Sequence, residues 1–442
     1  MAFRIPASAA RSFRIDLASA SALSLGLAML ALTTAVLRKS LAAPDWLLAL
    51  AVALPMVNQL LSPAWSGATF LRRKVPFVRL GAYLTAVCLV LAAAASVVLP
   101  RVVGPRASQP LVWGVSAEAM SFMCLTTLAW LAASGFNVLV TSVYRCNYPV
   151  FVRARVVSRI NVFKLIASLP IAVGVALMLE QSRGSSDRGF VWILVVGSLA
   201  LVAAGLVYGR QRVLGEEAYP SGCNGRELLR QLVPNNLLDL LRRNPHFARY
   251  QIWQTFNGVG NVVCLPAMTM VMVDPDKWNM NYTEYLVLAT VIPGVTQMAS
   301  AALWAPLVDR LSPSKARTFN TPFWVVAWLL FGYAAVTGSG GWLVYMSRAA
   351  MGFGMSGADL IWSLGSLHYS RREDPAQLVA AHSFLTGIRG LVAPLIGGAL
   401  YAAFGNAVFF IGAAIMTAGG IGFYLQDRAE RRDPAFVSEK DA

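Results

Sequence analysis

Charge is scarce in this chain. Only 13% of its 442 residues are Asp, Glu, Lys or Arg, about half the fraction usual in a soluble domain. Hydrophobic residues make up 57% and mean hydropathy is +0.58. A soluble fold has too little interior to hide that much apolar surface, which excludes an ordinary water-soluble enzyme. Histidine occurs three times, at His246, His368 and His382. The five cysteines, Cys88, Cys124, Cys146, Cys223 and Cys264, are scattered and form no CxxC pair. Neither a zinc site nor a disulfide framework has a basis in such spacing. No GxxxxGK[ST], HExxH or GxSxG stretch is present, so ATP hydrolysis, zinc peptidase and serine hydrolase chemistry lack their signatures. No cofactor is expected.

What the chain does have is long apolar runs. They fall near 15–37, 44–66, 77–99, 111–141, 157–180, 189–209, 248–273, 281–307, 319–338, 342–368, 379–402 and 406–425. Each is close to the roughly 20 residues a helix needs to cross a bilayer. The expectation is an all-α polytopic membrane protein with twelve transmembrane helices in two six-helix, pseudo-symmetric bundles. The first run follows Arg4, Arg11 and Arg14 but is longer than a signal-peptide core, so it reads as a retained helix. The longest polar stretch, 210–247, divides the chain into bundles at 1–209 and 248–426, leaving 427–442 as a tail. Within it, Arg226 to Arg243 carries leucines at helical spacing, the pattern of a helix lying on a membrane surface.

Lys and Arg set the orientation. Seven (Arg38, Lys39, Arg101, Arg106, Arg183, Arg188 and Lys277) fall on one set of loops, Arg348 and Arg389 fall inside runs, and the other 28 fall on the opposite set. Both termini are therefore expected in the cytoplasm, with the chain a multi-pass protein of the cell (inner or plasma) membrane. The same bias accounts for the net charge of +16 without a nucleic-acid partner.

The halves echo one another. Ala133-Ser134-Gly135-Phe136-Asn137 in the fourth run matches Met355-Ser356-Gly357-Ala358-Asp359 in the tenth at Ser, Gly and a short polar residue. Both precede an Arg-containing loop, as parallel repeats would.

Between the eighth and ninth runs stands Trp304-Ala305-Pro306-Leu307-Val308-Asp309-Arg310-Leu311, followed by Lys315 and Arg317. This resembles the loop signature of the major facilitator superfamily, and the likeness extends over nearly the whole chain. It implies a twelve-helix transporter in which Asp309 latches the cytoplasmic side in the outward-facing state. Physically, an Asp there can accept bonds from a neighbouring helix N-terminus while an Arg ties adjacent spans. The corresponding first-half loop keeps Gly67, Arg72, Arg73 and Lys74 but lacks the Asp. The eleventh run contains Ala393-Pro394-Leu395-Ile396-Gly397-Gly398, similar to an element that some exporters of the superfamily carry on the fifth helix.

Polar residues within the runs carry the candidate mechanism, because hydrocarbon penalises them. Gln254, Asn257 and Asn261 form one helical stripe; Arg348, Ser356 and Asp359 form another, and His382, Thr386 and Arg389 a third. Asn58, Asn137 and Asn161 add polar positions in the first half. These would line a transport cavity or hydrogen-bond between helices. Asp359 and Arg389 are expected at one depth, as a pair, and Glu118 and Arg348 are candidates for an outer gate. The functional expectation is a secondary active transporter of a small, anionic or zwitterionic solute, proton-coupled through Asp359, Glu118 or His382, acting as a monomer in the lipid bilayer. A transporter-like scaffold or receptor, and a membrane enzyme acting on lipid, are the alternatives.

Overall fold

The computed structural model describes residues 7–181, 189–216 and 237–433, except positions 32, 34–35, 38–39, 42, 45–46, 48–49, 52–53, 57, 70–71, 105–106, 108, 274–275, 281, 340 and 371–374. The described residues are almost entirely helical. In chain order the helices are α1 (Ala7–Ala31), α2 (Ser62–Ala68), α3 (Val75–Val103), α4 (Ala117–Ala133), α5 (Phe136–Asn147), α6 (Val150–Gln181), α7 (Gly189–Tyr208) and α8 (Leu237–Arg243). There follow α9 (Pro245–Val262), α10 (Cys264–Val273), α11 (Tyr282–Leu286), α12 (Ile292–Arg310), α13 (Pro313–Thr337), α14 (Trp342–Leu364), α15 (Pro375–Phe404) and α16 (Val408–Arg432). Among the described residues, eight stretches are long and apolar enough to cross a membrane. Of the amphipathic stretch 226–243, only α8 lies within the described residues.

Three runs differ in detail from the uninterrupted helices their composition suggests. The fourth begins as a hairpin, β1 (Pro110–Val112) paired antiparallel with β2 (Val115–Ser116). Its two-residue turn needs positive φ, which Trp113 (51°) and Gly114 (76°) supply. The same run then breaks at Ser134 and Gly135, where Trp65 Nε1 donates to Ser134 Oγ at 2.6 Å. In the seventh, α9 gives way to α10 at Val263 because Pro266 has no amide to continue the ladder. In the eighth, Val287–Val291 forms a π turn between α11 and α12.

The chain divides into two compact units, Met1–Asn147 with Ile160–Leu232, and Tyr148–Arg159 with Val233–Ala442. The first turns of α6 thus belong with the second unit. In the first unit α7 packs against α1 and α3 around Leu30, Leu37, Leu89, Phe122 and Leu201. Phe122 meets Phe190 edge-on at 5.9 Å. In the second unit α13 packs against α14 and α16, and α9 against α16. Their core centres on Trp328, Phe331 and Phe409, with the Trp328 and Phe409 rings stacked at 5.9 Å.

Candidate functional site: a buried polar cluster in the second unit

Asp309, near the end of α12, meets the start of α6. Its Oδ1 accepts the Ala154 amide at 2.7 Å, and its Oδ2 accepts the Arg155 amide at 3.4 Å and Arg155 Nε at 2.8 Å. A carboxylate at a helix N-terminus satisfies amides and meets the positive end of the helix dipole. The tying cation is Arg155; Arg310 is exposed and Lys315 half-buried. Arg317 departs from the surface-loop expectation altogether: it is 3% exposed inside the unit. The first unit solves the same problem with a distant acid. Gly67 lies on α2, Arg72 is half-buried and Arg73 exposed. Buried Lys74, which caps α3, donates its amide to Glu216 Oε2 at 3.1 Å and its ammonium to Glu216 Oε1 at 2.7 Å.

The amide stripe on α9 splits. Asn257 Nδ2 donates to Thr321 Oγ1 at 2.9 Å, and Asn261 Oδ1 accepts Trp328 Nε1 at 3.0 Å. Both bonds tie α9 to α13 within the unit. In the first unit, Asn161 Oδ1 accepts Lys164 Nζ at 3.4 Å, and Asn58 is half-buried in a short 3-10 turn. Asn137 lies on α5, its side chain outside the described residues. Glu118 is buried in the first turn of α4. Arg348 spends its bonds inside the second unit, on the Leu288 carbonyl at 2.9 Å and Met268 Sδ at 3.1 Å.

The remaining candidates converge with residues the stripes did not include. Arg389 Nη1 donates to the Gln254 carbonyl at 2.8 Å, and Asp359 Oδ2 accepts Gln297 Nε2 at 2.6 Å. The expected Asp359–Arg389 pair is therefore not formed. Equal depth places two residues at one level but leaves their azimuths open, and each side chain meets a different neighbour in the unit. Arg317 itself makes two long bonds, 3.4 Å to Asn320 Oδ1 and 3.4 Å to the Ala358 carbonyl, and lies beside the Tyr250 hydroxyl. His382, 2% exposed, places Nδ1 2.9 Å from Gln251 Oε1 and its ring 5.4 Å from Trp362. Thr386 donates to the His382 carbonyl at 2.8 Å and receives Trp362 Nε1 at 3.4 Å. Ser356 is buried on α14.

Several buried polar atoms here have no hydrogen-bond partner: Tyr250 Oη, Gln251 Nε2, Gln254 Oε1, Arg317 Nε and His382 Nε2. Native interiors contain few such atoms, and each calls for an explanation. Tyr250 and Gln251 lie one turn before Gln254 on the same face of α9. Extending that stripe by one turn would have found them in the sequence.

A second polar group closes the end of the unit. Glu430 Oε1 accepts Tyr369 Oη at 2.8 Å, Gln426 Nε2 at 2.8 Å and Ser314 Oγ at 3.1 Å. Burial, together with the Glu430 carboxylate, pushes the Tyr369 phenol well above its ordinary value, which keeps it a donor.

Comparison with known proteins bears on the fold. Residues 252–441 match the profile of the Major Facilitator Superfamily. The proton:xylose symporter XylE of E. coli, bound to 6-bromo-6-deoxy-D-glucose, superposes with a TM-score of 0.68 at 14% identity, over 94% of this chain and 96% of that one. The fold is that of the major facilitator superfamily. A bacterial homologue of the iron transporter ferroportin, outward-facing with soaked iron, gives 0.66 at 12% identity over 96% and 99% of the two chains. The E. coli fucose:proton symporter FucP gives 0.58 at 13% over 95% and 99%. No curated protein matches the chain in sequence.

Proposed function

We propose that this chain is a secondary active transporter of the cell membrane that moves a small anionic solute by alternating access and couples it to a proton. The observation that carries the reading is the state of Arg317 and Arg389. Among the described residues, no carboxylate lies within ion-pair distance of either guanidinium. An ionised side chain within a membrane bundle costs about 2.5–3.5 kcal/mol on insertion scales and marks a solute or ion pathway by default. Two of them within electrostatic range of each other favour a ligand of the opposite sign. Asp359, His382 and Glu118 are the titratable groups available to carry a proton. Asp309 supports the latch role that the superfamily's loop implies. Two of its fold neighbours, XylE and FucP, are proton symporters.

Purified protein in proteoliposomes tests the reading. A pH jump, acid outside, is applied with radiolabelled D-gluconate or D-glucuronate in one set and D-xylose or L-fucose in another. Accumulation of an acid above protein-free liposomes, abolished by a protonophore, is the expected result. Accumulation of the neutral sugars alone contradicts the anionic solute, and no flux of any solute supports the scaffold alternative.

A further inference from the structure

We propose that Arg317, Arg389 and His382, with Tyr250 from α9, form one buried site in the second unit that takes a carboxylate group together with a proton. This deepens the transporter reading by naming the ligand class and the seat of the proton.

The geometry supplies a cationic site with donors to spare. A guanidinium has five N–H donors in a planar fork that matches a carboxylate. Arg389 commits one of them, to the Gln254 carbonyl, and the residue is half-buried. Arg317 lies deeper, with two long bonds and Nε without a partner. Tyr250, fully buried, is within electrostatic reach of both guanidiniums, and its hydroxyl lies beside Arg317 without a well-formed hydrogen bond. Space around Arg389 is set by Gly258: a Cβ there would stand 2.6 Å from Arg389 Nε, so only glycine lets the fork lie against α9. A buried charge without a partner is costly, and a bidentate anion offsets that cost.

His382 makes the site a proton site as well. With Gln251 Oε1 facing Nδ1, the ring donates from Nδ1, and the neutral imidazole is left with a lone pair on Nε2, which has no partner. Neutral Gln251 from α9 and Trp362 from α14 face it, and the cations Arg317 from α13 and Arg389, about two turns on along its own helix, lie within electrostatic range. Two cations oppose a third charge on the ring. A carboxylate between them removes that opposition, and a proton arriving on Nε2 from solvent becomes a donor to the same carboxylate. Each ligand thus favours the other, as linkage requires.

The test uses the full chain in detergent, without any gradient. Thermal unfolding is followed with sodium acetate or sodium D-gluconate against sodium chloride at equal ionic strength, and with sodium phosphate as a second anion. A pH dye in weakly buffered solution near neutrality counts protons. The expected result is stabilisation by the carboxylates with uptake of up to one proton per site. Arg389→Gln, and Arg389→Lys less severely, should weaken carboxylate affinity by roughly tenfold or more; His382→Gln should retain some stabilisation and lose proton uptake. Arg389 is half-buried, so its variants test the site even where Arg317→Gln fails to fold. Stabilisation by chloride or phosphate equal to that by carboxylate, binding unchanged in Arg389→Gln, or carboxylate binding without proton uptake would each overturn the proposal. A chain that binds here but fails the flux assay retains the site and loses the transporter reading.

Discussion

Arg348 Nε donates to the Leu288 carbonyl at 2.9 Å, a carbonyl that its own helix cannot serve. In the π turn Val287–Val291, the Ile292 amide bonds the Val287 carbonyl, which removes the partner Leu288 would have in an α-helix. The next amide in a π ladder would be that of residue 293, and Pro293 has none. Arg348 fills the deficit from α14, so the cation sits where a proline-bearing π turn leaves an acceptor.

Arg348→Ala should therefore act as a folding defect. A buried carbonyl left without a donor costs about 1–3 kcal/mol, and truncation of a buried side chain adds to it. Thermal unfolding of the purified variant should show a clearly lowered midpoint, with Arg348→Lys intermediate. An unchanged midpoint accompanied by loss of transport alone would return Arg348 to the gate role.

Asp309→Asn keeps an oxygen for the Ala154 amide and loses the charge that holds Arg155 Nε. The Arg155 side of this pair is partly solvent-accessible, so the effect belongs to the balance of states more than to folding. Turnover in proteoliposomes should fall while equilibrium solute binding stays within a few-fold. Complete loss of binding in a folded variant would contradict a latch.

The all-helical class was legible because apolar runs of bilayer length admit few other structures. Asp309 was legible for a similar reason, its position at a helix end next to a basic loop. Glu216 was not: it lies 142 residues from Lys74, in a polar stretch with no periodicity, and only the folded chain brings the two together. The hairpin before α4 hid within an apolar run, since Val112, Trp113 and Val115 suit a strand as well as a helix. Arg317 was misplaced because a Lys or Arg beside a loop reads as positive-inside charge, and the sequence holds no sign that α13 turns this residue inward. The expected Asp359–Arg389 pair gives way to Gln297 and the Gln254 carbonyl as partners, because residue counting along two separate helices does not fix which neighbour each side chain meets.

Lys74 and Glu216 should show strong coupling. Both side chains are about 6% exposed, and removing one partner of a buried pair typically costs about 3–5 kcal/mol. Lys74→Met and Glu216→Gln should each lower the unfolding midpoint substantially, and the double variant should lose much less than the two effects added. Additive losses in the double-mutant cycle would show that the pair contributes little.

Gly258→Ala gives a discriminating change at the carboxylate site. Its methyl meets the flexible end of Arg389, and alanine favours a helix over glycine by about 1 kcal/mol, so stability should hold or rise slightly. Carboxylate affinity should nevertheless fall, because the fork is pushed off α9. Unchanged affinity in a folded Gly258→Ala protein would place the ligand away from Arg389.

The central claim is that a carboxylate and a proton cross together. Proteoliposomes with an entrapped pH dye, given an inward gradient of membrane-impermeant D-gluconate at equal pH, measure it directly. The account predicts acidification of the lumen above protein-free liposomes, lost in Arg389→Gln and in His382→Gln. Entry of gluconate with no change in lumenal pH would contradict it.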